Sequence, residues 1–180
     1  MAQPVILYIA ATCNGKIADI NGGIEWLEKI PNPEGSDFGY NEFYKRIGAT
    51  IMGSRTYKQI KGWDIPFPYP DKKNYVFSHQ ANNIADPNIK WVEEHHKNFV
   101  LTLKENAESP IWLIGGGALN GWMLKEGLID EIQLFIMPYI LVEGIDLFGR
   151  HSVRKELITE SKETYANGVI RITYKVNNDK

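Results

Sequence analysis

The sequence has one cysteine, Cys13, among its 180 residues, so no disulfide can close within the chain and no zinc site built on paired cysteines is possible. Long apolar runs are missing too. The first apolar run, Pro4 to Ala11, is too short to cross a bilayer. It also lacks the basic flank and cleavage pattern of a secretory leader, so a cytoplasmic protein with a reduced thiol and no membrane association is expected. Charge of one sign is scarce: 20 Lys and Arg face 22 Asp and Glu, and the halves 1–90 and 91–180 carry +1 and −3. Neither half offers the basic footprint of a backbone-driven nucleic-acid binder, so no nucleic-acid partner is expected. His95 and His96 are adjacent, their side chains diverge, and no metal site is expected there. What the chain does have is 43% hydrophobic residues, enough at this length for one domain, 1–180, with a core that needs no staples.

Val5 to Ala11 is continuously apolar and rich in β-branched residues, which reads as a central strand buried on both faces. Asn14 to Gly23 reads as a loop, and Ile24 to Ile30 as a short amphipathic piece stopped by Pro31. Asp37 is an N-cap candidate for a helix carrying Phe38, Phe43, Tyr44 and Ile47. Strands are expected at 49–53, 74–78, 89–92, 110–114 and 129–138, with helices at 54–60, 96–107 and 118–126, the last stopped by Gly127. Alternating runs at 157–165 and 169–176 surround Asn167-Gly168, a hairpin signal. Strand–helix–strand order closed by a hairpin predicts an α/β fold of three layers, α-β-α. Its mixed sheet is mostly parallel, with a C-terminal antiparallel hairpin.

Three strand ends carry candidate chemistry. Pro110 to Ile114 runs into Gly115-Gly116-Gly117 and then a helix. Missing side chains there let a ligand approach the backbone, and a helix N-terminus offers free N–H groups and partial positive charge to a pyrophosphate. Gly53-Ser54-Arg55-Thr56 is a second strand-to-helix turn, with hydroxyls and a fixed cation suited to phosphate. Ser78 and His79 end a third strand. A tight turn, a capped helix and a loop start would each explain one of these alone. Their conjunction on one sheet edge is what points to a dinucleotide.

Ile51 to Tyr57, Tyr75 to Ser78 and Ile114 to Gly117 together resemble the dihydrofolate reductase superfamily in order and spacing, across the whole chain. Asn14 to Ala18 and Gly23 to Leu27 are similar to single-domain relatives of the reductase half of bacterial riboflavin-biosynthesis deaminase–reductases. The resemblance implies NADPH-dependent hydride transfer to a small heterocyclic substrate, of pteridine or aminouracil type. The favoured activity is that of a 5-amino-6-(5-phosphoribosylamino)uracil reductase. It also implies that Gly53, Ser54, Arg55 and Thr56 bind cofactor phosphates, and that Ser78 and His79 lie near the adenosine phosphate. Gly115, Gly116 and Gly117 would meet the pyrophosphate, with a cis peptide between the first two, and Ala11 and Ile17 would border the nicotinamide. Ser54 and Ala118 stand where the folate enzyme can carry basic residues, which leaves NADP versus NAD open.

Reducing a C=N bond needs a proton, and a buried carboxyl with a raised pKa is one source. Asp37 is the first candidate and Glu25 the second, with solvent as the remaining source. Folate reduction would require such a carboxyl; riboflavin-type reduction would require a basic grip on a ribose phosphate, for which Lys45 and Arg46 are candidates. A non-catalytic nucleotide sensor on the same scaffold is the rival from another class. A homodimer pairing through Ile132–Ile136 and the final hairpin is a further expectation.

Overall fold

The computed structural model describes residues 1–79, 85–151 and 153–178. Ten strands and four α-helices follow in chain order: β1 Val5–Thr12, β2 Lys16–Ala18, α1 Tyr40–Arg46, β3 Ala49–Gly53, α2 Ser54–Lys61, β4 Lys73–Phe77, β5 Ile89–Val92, α3 His96–Asn106, β6 Ile111–Gly115, α4 Gly117–Lys125, β7 Glu131–Met137, β8 Ile145–Asp146, β9 Leu157–Thr164 and β10 Ile170–Val176. Eight strands form one sheet in the order β5-β4-β3-β6-β1-β7-β10-β9. The first six in that order are parallel, and β10 and β9 join antiparallel. This is the expected α/β arrangement with its C-terminal antiparallel hairpin.

The sequence pattern explains the placement. Val5, Ile6 and Leu7 are at most 1% exposed, because β1 lies between β6 and β7 and is covered on both faces. On one face, Phe43 of α1, Ile47 just after it, and Tyr57 and Ile60 of α2 pack against Ile6, Met52, Val76 and Trp112. On the other, Val100 of α3 and Met123 and Leu124 of α4 pack against Val5, Leu7, Ile51 and Leu113. Truncating one of these side chains, as in Leu7→Ala, costs roughly 2–5 kcal/mol through lost burial and the cavity left behind.

The hairpin turns through a three-residue loop. Tyr165 N–H donates to Val169 O at 2.9 Å, and Gly168 takes the left-handed conformation at φ 84°, the position in that loop where glycine is favoured. The stretch expected as an amphipathic piece at 24–30 is only a 3-10 turn, Leu27–Lys29, since Pro31 leaves no room for a second turn. β7, which carries Ile132–Ile136, is hydrogen-bonded on both sides, to β1 and β10, so of the expected dimer contact only the hairpin strand β9 offers a free strand edge. The edge strands of this sheet are β5 and β9, and all eight residues of β9 are exposed.

Candidate functional site: two strand-to-helix turns on the carboxyl edge

The carboxyl ends of β3 and β6 lie side by side, with Met52 in register with Gly115. Each strand passes into a helix through glycine. A β-carbon added to Gly53 would sit 3.8 Å from Gly115 O, and one on Gly116 would sit 3.4 Å from Thr56 Oγ1. The two turns therefore face each other through bare main chain. Neither α2 nor α4 has a side-chain cap, and neither has an acidic residue in its first turn. Their first N–H groups are the orphan donors of a helix start, and the helix dipole adds partial positive charge. Arg55 is exposed in the first turn of α2, flanked by half-buried Ser54 and Thr56. Gly115 has φ 111°, a region that requires glycine, and the Gly115–Gly116 peptide is cis, as the resemblance implied.

Gly117 differs from its neighbours. A β-carbon there would meet Asp146 O at 2.0 Å, and one on Gly121, a helical turn later, would meet Phe148 O at 1.9 Å. The missing side chains on this face of α4 let the protein's own segment 146–149 pack against the helix.

The end of β4 is pinned. Buried Ser78 donates its N–H to Val92 O at 3.1 Å. His96 Nε2 lies 3.1 Å from Ser78 O and 2.9 Å from Val92 O. Both partners are carbonyls, so this network places the ring proton on Nε2. The imidazole stacks on Phe77, with centroids 4.8 Å apart, and exposed His79 packs edge-on against it at 5.1 Å.

On the other flank, buried Ala11 is the penultimate residue of β1, and half-buried Ile17 is the middle residue of β2. The turn between them is ordered by Thr12, whose hydroxyl donates to Asn14 Oδ1 at 2.7 Å and accepts Lys16 N–H at 2.9 Å. Residues 14–23 are thus more than the expected loop, because β2 pairs with β8. Farther along, Gln59 Nε2 of α2 donates to Gly22 O at 2.8 Å. Since β6 lies between β1 and β3, this stretch crosses the sheet edge above the glycine turn.

The acid expectations fail on burial. Asp37 is exposed, its carboxylate accepting N–H bonds from Gly39 at 2.9 Å and Asn41 at 3.1 Å. The Asn41 and Gly39 amides hold its pKa below the ordinary carboxylate value, the reverse of what a proton donor needs. Glu25 is exposed as well, beside Gly23 and Asp19. Among the described residues, no aspartate or glutamate belongs to the buried set. Asp86 has a well-enclosed side chain, 5% exposed, but it serves as an anchor for α2 through Tyr57 at 2.9 Å and Lys61 at 3.2 Å. The expected phosphate grip is misplaced too: Arg46 lies 3.8 Å from Glu131, the first residue of β7, on the opposite edge of the sheet. Tyr69 is buried against Trp112 with centroids 5.2 Å apart, and Phe67 packs on Tyr69, so the loop packs at 67–69 while Trp63 and Ile65 stay exposed.

Reasoning from the sequence missed Asn120, Gly121 and the segment 144–149. The four-residue spacing of Gly117 and Gly121 was the available signal, since it places two glycines on one helix face.

A family model described as the RibD C-terminal domain matches residues 3–171. The uncharacterized protein YwjB of Bacillus subtilis (strain 168) is 36% identical over 162 residues, covering 90% of this chain and 88% of that protein. YyaP, also uncharacterized and from the same organism, is 32% identical over 185 aligned residues, covering 96% and 95%. A Shewanella sp. PV-4 structure, provisionally assigned to riboflavin biosynthesis, superposes with a TM-score of 0.87 at 26% identity, covering 98% of this chain and 99% of that one. The Thermotoga maritima diaminohydroxyphosphoribosylaminopyrimidine deaminase/5-amino-6-(5-phosphoribosylamino)uracil reductase superposes at 0.73 with 17% identity, over 98% of this chain and 57% of that one; this likeness concerns the fold alone. The fold is the dihydrofolate-reductase-like one of the RibD reductases, and the chain belongs to the RibD C-terminal domain family.

Proposed function

We propose that this protein is an NADPH-dependent reductase of an aminouracil-like heterocycle, with 5-amino-6-(5-phosphoribosylamino)uracil as the substrate to try first. The observation that carries this reading is the pair of uncapped, acid-free helix starts whose glycines face each other across β3 and β6. An anion with more than one phosphate suits such a site, because both sets of N–H groups and both dipoles act on it together. The family is one of NADPH-dependent reductases, and relatives by fold are described as riboflavin-biosynthesis proteins, which supports the choice of coenzyme and substrate class.

In this reading the N–H groups of Ser54 to Thr56 and of Gly116 to Ala118 take the diphosphate, with Arg55 as the nearby cation. Ser78 and His79 flank the adenosine phosphate, and Ala11 and Ile17 border the nicotinamide. Bound there, NADPH supplies a hydride. The proton comes from water, since neither Asp37 nor Glu25 is enclosed. That favours the aminouracil substrate over dihydrofolate, for which a pocket carboxyl was the requirement.

The test is NADPH oxidation by purified protein with the phosphoribosylamino-uracil, its dephosphorylated form and dihydrofolate. Turnover confined to the aminouracils is expected. Turnover of dihydrofolate alone would overturn the substrate class. Tight NADPH binding with no turnover on any of them would replace the enzyme by a nucleotide sensor.

A further inference from the structure

Asn120 lies in the first turn of α4 and is 0% exposed. Its Nδ2 donates to Leu147 O at 2.9 Å. Its Oδ1 has no hydrogen-bond partner and lies 3.0 Å from where a β-carbon on Gly115 would stand. A buried acceptor left unpaired is uncommon and costly. Here its place follows from the donor on the other side: turning the amide over would set Oδ1 against a carbonyl oxygen.

Leu147 continues the connection. Its N–H donates to Gly15 O at 2.9 Å, in the turn after β1. Next to it, Asp146 Oδ1 meets Lys16 Nζ at 2.5 Å. Close backbone packing joins the same pieces. Besides the approaches at Gly117 and Gly121, a β-carbon on Gly144 would stand 2.4 Å from Ala18 O, and one on Gly149 would stand 3.1 Å from Gly117 O. Segment 144–149 is thus wedged between the glycine turn of α4 and the turn that follows β1, and Asn120 is the side chain that ties it to α4.

We infer that Asn120 is a positioning residue: through segment 144–149 it holds the Gly115–Gly117 turn and the Asn14–Ile17 turn in one fixed geometry, so the diphosphate and the nicotinamide of the coenzyme are gripped by a single unit. This rests on the proposed binding mode and adds to it a consequence. Damage at one turn is felt at the other, although the side chain of Asn120 is fully buried on Leu147 O and that of Asp146 is paired with Lys16.

Two variants and two ligands test this. Asn120→Asp keeps the shape and turns an oxygen toward Leu147 O. Asp146→Asn removes the ion pair at the far end. The ligands are NADPH and ADP-ribose 2′-phosphate, which lacks the nicotinamide. Asn120→Asp is expected to weaken both ligands about tenfold, the scale set by breaking one buried hydrogen bond. It is also expected to speed exchange of the Leu147 amide. Asp146→Asn is expected to weaken the nicotinamide-free ligand about threefold, an effect with no source unless the two turns are joined. A folded Asn120→Asp protein with a lower melting temperature but wild-type affinities would overturn the inference. So would unchanged binding of the fragment by Asp146→Asn, which remains informative if Asn120→Asp does not fold. Wild-type protein that binds neither ligand overturns the binding mode and this inference with it. Wild-type binding with unaffected variants overturns this inference alone.

Discussion

The turns from β3 to α2 and from β6 to α4 share a plan, strand then glycine then uncapped helix, yet they are held in place by different means. Behind Gly53 there is ordinary space, the nearest neighbour being Gly115 O at 3.8 Å. Behind Gly117 and Gly121 there is another stretch of backbone at about half that distance, 2.0 and 1.9 Å from the missing β-carbons. α4 is fixed by close main-chain packing. α2 is fixed from its far end by a charged network, in which Tyr57 and Lys61 bond the carboxylate of Asp86. Glycine at a strand-to-helix turn can thus leave room for a ligand or for the protein itself, and only the far side of the turn decides which.

Breaking the packed turn should have the largest effect. Gly121→Ala puts a methyl group into the Phe148 carbonyl, which can move only with its backbone, so a loss of about 3 kcal/mol or more is expected in urea denaturation. Gly53→Ala is the contrasting change. It should alter stability by less than about 1 kcal/mol but weaken NADPH binding about tenfold, measured by calorimetry. Equal loss of stability in the two variants would erase the distinction between the turns.

Acid sharpens the same contrast. Burial pushes the Asp86 carboxyl up, but hydrogen bonds from Asn88, Tyr57 and Lys61 outweigh it and hold the pKa at about 2, below the ordinary 3.8. The stabilising contribution is therefore complete above about pH 4 and is lost as pH falls through about 2. Hydrogen exchange across that window should rise in α2 before α4, whose glycine face carries no charge. Asp86→Asn should cost about 1–2 kcal/mol at neutral pH and flatten this acid limb. Exchange rising equally in both helices would remove the separate anchors.

The smallest effect is expected at α1, the helix whose start is bonded by an upstream side chain. Asp37→Ala removes that anchor, so a slight fall in melting temperature with unchanged kcat is expected. A collapse of kcat with native stability would restore Asp37 as the acid.

Legibility in the sequence followed the range of the interactions. Val5 to Ala11 and Pro110 to Ile114 read as buried strands because the whole run is apolar, and the observed ends, Thr12 and Gly115, lie within one residue of that reading. Asn167-Gly168 marked the hairpin because its turn is local chemistry. Gly53 and Gly115 read as sites for the same reason. By contrast, β8 has two residues, Ile145–Asp146, and exists only through pairing with β2, so no periodicity could show it. Asp37 announced its bonds to Gly39 and Asn41, but whether it was buried depended on the distant elements that might have covered it. Gly117 and Gly121 were visible as glycines, while the segment that fills their space lies more than 25 residues later.

In the proposed binding mode, main-chain amides at the two turns hold a diphosphate. The most direct measurement is a ¹H–¹⁵N titration of labelled protein with NADPH. Shifts are expected to concentrate at the amides of Ser54 to Thr56 and Gly116 to Ala118 and to grow together with one affinity. A spectrum in which those amides stay still while NADPH binds elsewhere, or in which nothing moves at all, would contradict it.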